Sequence, residues 1–235
     1  MNCKRHPQLK GAMPLTPLDL THVLYTEGDS LGKLCALLSL TPPFVLVALA
    51  TLLLSRRDLA TLSFLTGLLL STALSSQLKP LFNQPRPAGH GLDHLKGYEH
   101  GMPSSHSVFA AFCAAYAAWW AHSGRWQERN LLLRLGLSSA CAGLAASVML
   151  ARVYLHYHSW AQVGVGAALG AALGSSWFLL TEACLRPWFP LIADTALCRL
   201  LLVRDCSSMH VINVEYAAAR AASASAEKAK WRDLL

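Results

Sequence analysis

The chain has 235 residues, of which 54% are hydrophobic and only 14% charged, with a mean hydropathy of +0.35. Soluble domains carry about 25% charged residues, so this composition excludes a water-soluble enzyme and a disordered chain and indicates an integral membrane protein. Twenty Lys and Arg against 13 Asp and Glu leave a net charge of +7. These basic residues sit in short segments between apolar runs and form no face interleaved with aromatics. They read as membrane orientation and anion binding, with no nucleic-acid partner.

The N-terminus, MNCKRHPQLKGAMPLTP, has basic residues but no apolar core before Leu31, so a cleavable signal peptide is not expected. Five apolar runs approach the ~20 residues that a bilayer-crossing helix needs. They are Leu34–Leu54, with a bend expected at Pro42 and Pro43, then Leu59–Leu78, a run opening at Ser107, Leu131–Leu150, and Trp160–Thr181. The last contains GVGAALGAALG, whose small residues suit close helix packing. Glu182 to Leu235 reads as a peripheral segment ending in a surface helix or a loose tail. The expected fold is all-α: a polytopic helix bundle in the membrane bilayer with about five transmembrane helices. Residues 1–33 form an N-terminal luminal or interfacial segment, 34–181 the core, and 182–235 a cytosolic or peripheral segment. Seven scattered cysteines without a CxxC imply neither a disulfide framework nor a zinc site.

With five spans, the turns around Arg56–Arg57 and Arg125–Arg129 share a side with the basic C-terminal segment, which places that side in the cytosol. The other side holds three polar stretches: Lys79-Pro-Leu-Phe-Asn-Gln-Pro-Arg86-Pro87, Pro103-Ser104-Ser105-His106, and Arg152-Val-Tyr-Leu-His-Tyr-His158-Ser-Trp-Ala-Gln162. Lys79, Arg86 and Arg152 are cations at the margins of apolar helices, where an unpaired charge is costly. A bound phosphate would supply the missing negative charge. The competing reading is three anchors snorkelling to headgroups; three cations beside two histidines on one face weigh against it. Pro103 suits the first turn of a helix, which would leave the N–H groups of Ser104, Ser105 and His106 to cradle an anion, with the Ser104 hydroxyl as a further donor. His158 and Gln162 are four apart on one helical face. The Gln oxygen would accept from one ring nitrogen and leave the other as a nucleophile, while His106 would protonate a leaving oxygen.

In this order, Lys-x6-Arg-Pro, Pro-Ser-x-His and Arg-x5-His resemble the signature motifs of the type 2 phosphatidic acid phosphatase superfamily of metal-independent membrane phosphatases. The resemblance implies that Lys79, Arg86, Ser104, Ser105 and Arg152 bind the phosphoryl group. It further implies that His158, rather than His156, attacks phosphorus to give a phosphohistidine, that His106 protonates the leaving group, and that no metal or other cofactor takes part. From about Leu18 to Arg220 the chain is most similar to the branch acting on dolichyl diphosphate, a polyprenyl diphosphate lipid, at the luminal face of the endoplasmic reticulum. That similarity includes LTHVLYTEGDSLG, YEHGMPSSHS and NVEY. The motifs alone leave phosphatidate open as a substrate, and leave open a non-catalytic lipid-phosphate-binding protein. No oligomeric state is assigned.

Three residues depart from the superfamily pattern. Ser105 replaces a Gly, Ala151 a Ser, and Gln162 the Asp that orients the nucleophile. An amide can hold the tautomer but cannot stabilise an imidazolium by charge, so weaker activation of His158 is expected. The branch acting on dolichyl diphosphate also carries Gln here. The loop Ala88–Met102, with His90, Asp93, His94, Glu99 and His100, reads as a solvated loop rather than a metal site, because its glycines oppose a helix that would align His90 and His94.

Overall fold

The computed structural model describes residues 15–17, 23–87, 99–123, 130–206 and 211–232. His90, Asp93, His94, Arg125 and Arg129 lie outside the described residues, as do most of the first 22. Two short antiparallel strands, β1 (Leu15–Pro17) and β2 (Leu24–Thr26), precede the helices. The first apolar run is two helices, α1 (Ser30–Leu38) and α2 (Thr41–Arg56), parted just before Pro42 and Pro43. There follow α3 (Leu59–Phe82), α4 (Ser105–His122), α5 (Leu131–Tyr154) and α6 (Trp160–Leu180). Beyond α6 the chain stays coiled through a π-type turn and a 3-10 turn into α7 (Phe189–Ala193), then α8 (Ala196–Leu201). The final segment is a helix, α9 (Val211–Arg232), rather than a loose tail.

Among the described residues, four stretches are long and apolar enough to cross a membrane: Ser30–Arg56, Leu59–Phe82, Leu131–Tyr154 and Trp160–Ala193. The fifth expected span differs. Helix α4 has 18 residues, about 27 Å of rise, and its apolarity is diluted by Ser105, His106, Trp119, Trp120 and His122 at its ends. It lies at the centre of the bundle against α3, α5 and α6, with Val108 and Phe112 fully buried. A helix shielded by protein on three sides has little need of a lipid-facing surface, which accounts for its Ala-rich composition.

What sets the position of α4 is the small-residue ridge of α6. A Cβ built on Gly166 would come within 2.8 Å of the Ser104 carbonyl oxygen, and one on Gly174 within 2.6 Å of that of Phe112; between them, Gly170 faces Val108. The two backbones therefore touch along two turns, at residues four apart on each helix, as the GVGAALGAALG run led one to expect. Away from the polar end, Phe64, Phe109, Phe112, Tyr116 and Phe178 form an aromatic cluster, with Tyr116 edge-on to Phe64 at 4.7 Å and to Phe178 at 5.2 Å. Trp177 Nε1 donates to the Ser63 carbonyl at 2.9 Å and ties α3 to the same face of α6.

Replacing Gly170 with Ala forces a methyl into the backbone of α4, at a cost of about 1–3 kcal/mol. Gly164 faces open space, so Gly164→Ala should be neutral or slightly stabilising. Thermal unfolding of the two variants in detergent should show a clear fall in Tm for Gly170→Ala alone.

Candidate active site

The three polar stretches meet at one end of the bundle because helix direction alternates. The end of α3, the start of α4, the end of α5 and the start of α6 all lie there. Asn83, in the left-handed region with φ of 43°, ends α3 one turn after Lys79 and turns the chain toward Arg86. His156, with φ of 57°, ends the turn after α5, where the Arg152 carbonyl accepts from the N–H groups of both Tyr157 and His158. His158 is thereby folded back beside Arg152.

Helix α6 opens with a capping box: Ser159 Oγ accepts from the Gln162 N–H at 3.3 Å, while Gln162 Oε1 accepts from the Ser159 N–H at 3.2 Å. The same Oε1 lies 3.2 Å from His158 Nδ1, and Gln162 Nε2 donates to the Pro85 carbonyl at 2.7 Å. The amide has only one workable orientation, since Pro85 offers a carbonyl and Ser159 an N–H. Its oxygen can only accept, so His158 carries its hydrogen on Nδ1 and its lone pair on Nε2. Arg86 Nη1, a donor only, sits 3.3 Å from that Nε2 and also donates to the Tyr157 carbonyl at 3.2 Å. Two contacts with different partners therefore agree on the tautomer expected of a nucleophile.

Gln162 is 1% exposed, and its donor group gives it a role that an Asp lacks. It clamps the Pro85–Arg86 segment to the start of α6. Gly101 completes this packing: its N–H donates to the Gln84 carbonyl at 2.7 Å, and a Cβ there would lie 2.5 Å from the Gln162 amide.

Helix α4 starts two residues later than expected. Pro103 precedes the cap, Ser104 is the cap, and Ser105 is the first helical residue. The Ser104 N–H is already used, donating to the Gln162 carbonyl at 3.2 Å. The N–H groups in the first turn are therefore those of Ser105, His106 and Ser107, not those of Ser104, Ser105 and His106. The shift follows from α6: the Ser104 backbone is pinned between Gly166 and Gln162 and cannot join the helix. Ser104 Oγ is buried with no hydrogen-bond partner among the described residues. The Ser105 hydroxyl points to α3, where Ser75 Oγ lies 3.4 Å away.

Arg152 is buried, its guanidinium 4.2 Å above the Tyr157 ring. Lys79, Arg86 and Arg152 are close enough to repel one another. Burial, then the charges of Arg86 and Arg152, hold the pKa of His158 far below the usual imidazole range. A neutral imidazole is what attack on phosphorus requires.

The comparisons with known proteins agree with this geometry. The PAP2 superfamily model matches residues 60–186, more than half of the chain and all three polar stretches. Human "Dolichyldiphosphatase 1" is 40% identical over 211 residues, covering 87% of this chain and 88% of that protein. The chain belongs to the PAP2 superfamily. Other relatives are "Lipid phosphate phosphatase gamma" of Arabidopsis thaliana, 39% identical over 92% of this chain and 96% of its own, and "Dolichyldiphosphatase" of Saccharomyces cerevisiae, 36% identical over 74% and 75%. No solved structure matches. As a PAP2 protein the chain is a hydrolase. Sequence reasoning missed Pro85, an unassigned position inside the first polar stretch, and Gly101 and Ser39, which touch the motif residues from outside the motifs. The only hint was Gly101, in the GMPSSH run.

Two outcomes are expected. Gln162→Glu puts a carboxylate oxygen against the Pro85 carbonyl and should lower kcat for phosphate release about tenfold or more, as loss of a buried hydrogen bond worth 1–3 kcal/mol would. A rise in kcat would show that charge on the orienting residue matters more than the clamp. Because the pKa of His158 is lowered, the free enzyme keeps this group neutral from about pH 5 to 8. Its kcat/KM should therefore show no acid limb from His158 in that range, and Arg86→Gln should move such a limb to higher pH.

Proposed function

We propose that this protein removes the terminal phosphate of dolichyl diphosphate, giving dolichyl phosphate and inorganic phosphate. Curated relatives named dolichyldiphosphatase, aligned over most of the chain, support the substrate class. The reading rests on one observation above the others: the nucleophile's partner is an amide. Gln162 fixes the tautomer of His158 but adds no negative charge to stabilise the developing imidazolium. Such modest activation suits a reactive anhydride. The leaving group of a diphosphate is a phosphate monoester with a second pKa of about 6, a far better leaving group than an alcohol.

In this reading Lys79, Arg86, Arg152, the Ser104 hydroxyl and the N–H groups at the start of α4 hold the terminal phosphoryl group. Binding needs no metal, since the three cations and the helix start supply the positive charge. His158 Nε2 attacks phosphorus, forming a P–N bond as the bridging P–O bond breaks. His106, which takes up a second proton on Nδ1 from the bound diphosphate, gives that proton to the departing dolichyl phosphate. Water then attacks the phosphohistidine with His106 as base, the P–N bond breaks, and inorganic phosphate leaves. The polyprenyl chain stays in the bilayer throughout.

The orientation proposed puts the site in the lumen of the endoplasmic reticulum, where it would recycle the carrier lipid for protein N-glycosylation. Arg56, Arg57, Arg199 and Arg204 lie at the opposite end of the bundle and favour the cytosol there.

Purified protein in detergent with EDTA should release phosphate from dolichyl diphosphate, and His158→Ala should abolish release. Phosphatidate should be turned over poorly beside it. Preferential hydrolysis of phosphatidate would reassign the substrate. Release from neither lipid by folded wild type would favour a binding protein.

A further inference from the structure

Ser39, in no motif, touches two of the motif residues. It is 3% exposed and sits at the end of α1, two residues before α2. Its carbonyl oxygen is 3.1 Å from His106 Nε2. Its hydroxyl accepts from Arg152 Nη1 at 3.1 Å and donates to the Cys35 carbonyl at 3.0 Å.

The local sequence explains why that carbonyl is available. In a continuous helix the carbonyl of residue i is taken by the N–H of residue i+4. For Leu38 and Ser39 those partners would be residues 42 and 43, and both are prolines with no N–H to give. The Leu38 carbonyl is met locally by Thr41 Oγ1 at 2.7 Å. The Ser39 carbonyl is left for His106. A carbonyl can only accept, so it fixes one hydrogen of His106 on Nε2 and leaves Nδ1 to take up the second proton, which the imidazolium then delivers.

We propose that Ser39 and Pro43 form a positioning element for the site: Pro43 withholds the N–H that would occupy the Ser39 carbonyl, that carbonyl fixes the tautomer and direction of His106, and the Ser39 hydroxyl aims Arg152 at the phosphate. It rests on the reading of His106 as proton donor given above. The break between α1 and α2 is then part of the catalytic apparatus as well as a bend. Residues from four elements meet there: Ser39 after α1, His106 on α4, Arg152 on α5, and Tyr157 beneath the Arg152 guanidinium.

Pro43→Ala restores a competing N–H, while Ser39→Ala and Ser39→Thr delete and retain the hydroxyl. Full-length protein in detergent is assayed for kcat and KM with dolichyl diphosphate, for inhibition by orthovanadate as a phosphate mimic, and for the ¹⁵N ring shifts of His106. Pro43→Ala should lower kcat about tenfold, a fraction of what a general acid supplies, with KM within about twofold and both His106 tautomers present. Ser39→Ala should weaken vanadate inhibition about tenfold, as loss of a hydrogen bond to a charged group would, and Ser39→Thr should restore it. Variants that lose thermal stability but keep wild-type kcat, vanadate inhibition and His106 tautomer would reduce these residues to a helix bend and overturn the proposal. If wild type hydrolyses no dolichyl diphosphate, the substrate reading fails; the vanadate and ring-shift measurements still decide this one.

Discussion

The backbone contact between α4 and α6 is the constraint on which the site depends. Three glycines, Gly166, Gly170 and Gly174, let the helices approach until carbonyls of α4 lie where side chains would otherwise stand. In a bilayer, where lipid tails are as apolar as the helix surface, such packing is a main source of association. The contact ends at the polar face with the Ser104 N–H bonded to the Gln162 carbonyl. The start of α4 and Gln162 at the start of α6 are therefore held in one register. A shift of one turn would move Ser104 and His106 away from His158 by about 5 Å.

Around that fixed pair the proposed site gathers positive charge. Lys79, Arg86 and Arg152 converge at one end of the bundle, and the residue against His158 is an amide rather than a carboxylate. One consequence is a nucleophile held neutral by its surroundings. Another is that Gln162 can do what a carboxylate cannot, because its N–H₂ grips the Pro85 carbonyl while its oxygen grips His158. Bringing a dianionic phosphoryl group into this field satisfies cations and helix start together. In the proposed reaction, binding and alignment of the reacting phosphorus would thus be one event.

Much of this was legible in the sequence. Apolar run lengths located four stretches able to cross the membrane among the five expected, and the order of the polar stretches put Lys79, Arg86, Ser104, His106, Arg152 and His158 at one end. The 3.6-residue period alone placed His158 and Gln162 together. What the sequence did not show depends on contacts between distant segments. Pro103 looked like a first-turn residue because nothing local reveals that Ser104 is pinned by α6. Helix α4 read as an ordinary span because its burial is set by three neighbours. Gln162 read as a weakened Asp, since its value as a donor appears only with Pro85 beside it. The double proline announced a break, but not that the carbonyl it frees would be met by His106, 67 residues away.

The central claim is that His158 Nε2 attacks phosphorus. Rapid acid-free quenching of the enzyme with dolichyl diphosphate labelled in its terminal phosphate tests this directly. Label should appear on the protein within one turnover, be stable to base and labile to acid, map to His158, and vanish in His158→Asn. Phosphate release with no protein-bound label, from an enzyme that stays active as His158→Asn, would contradict the account.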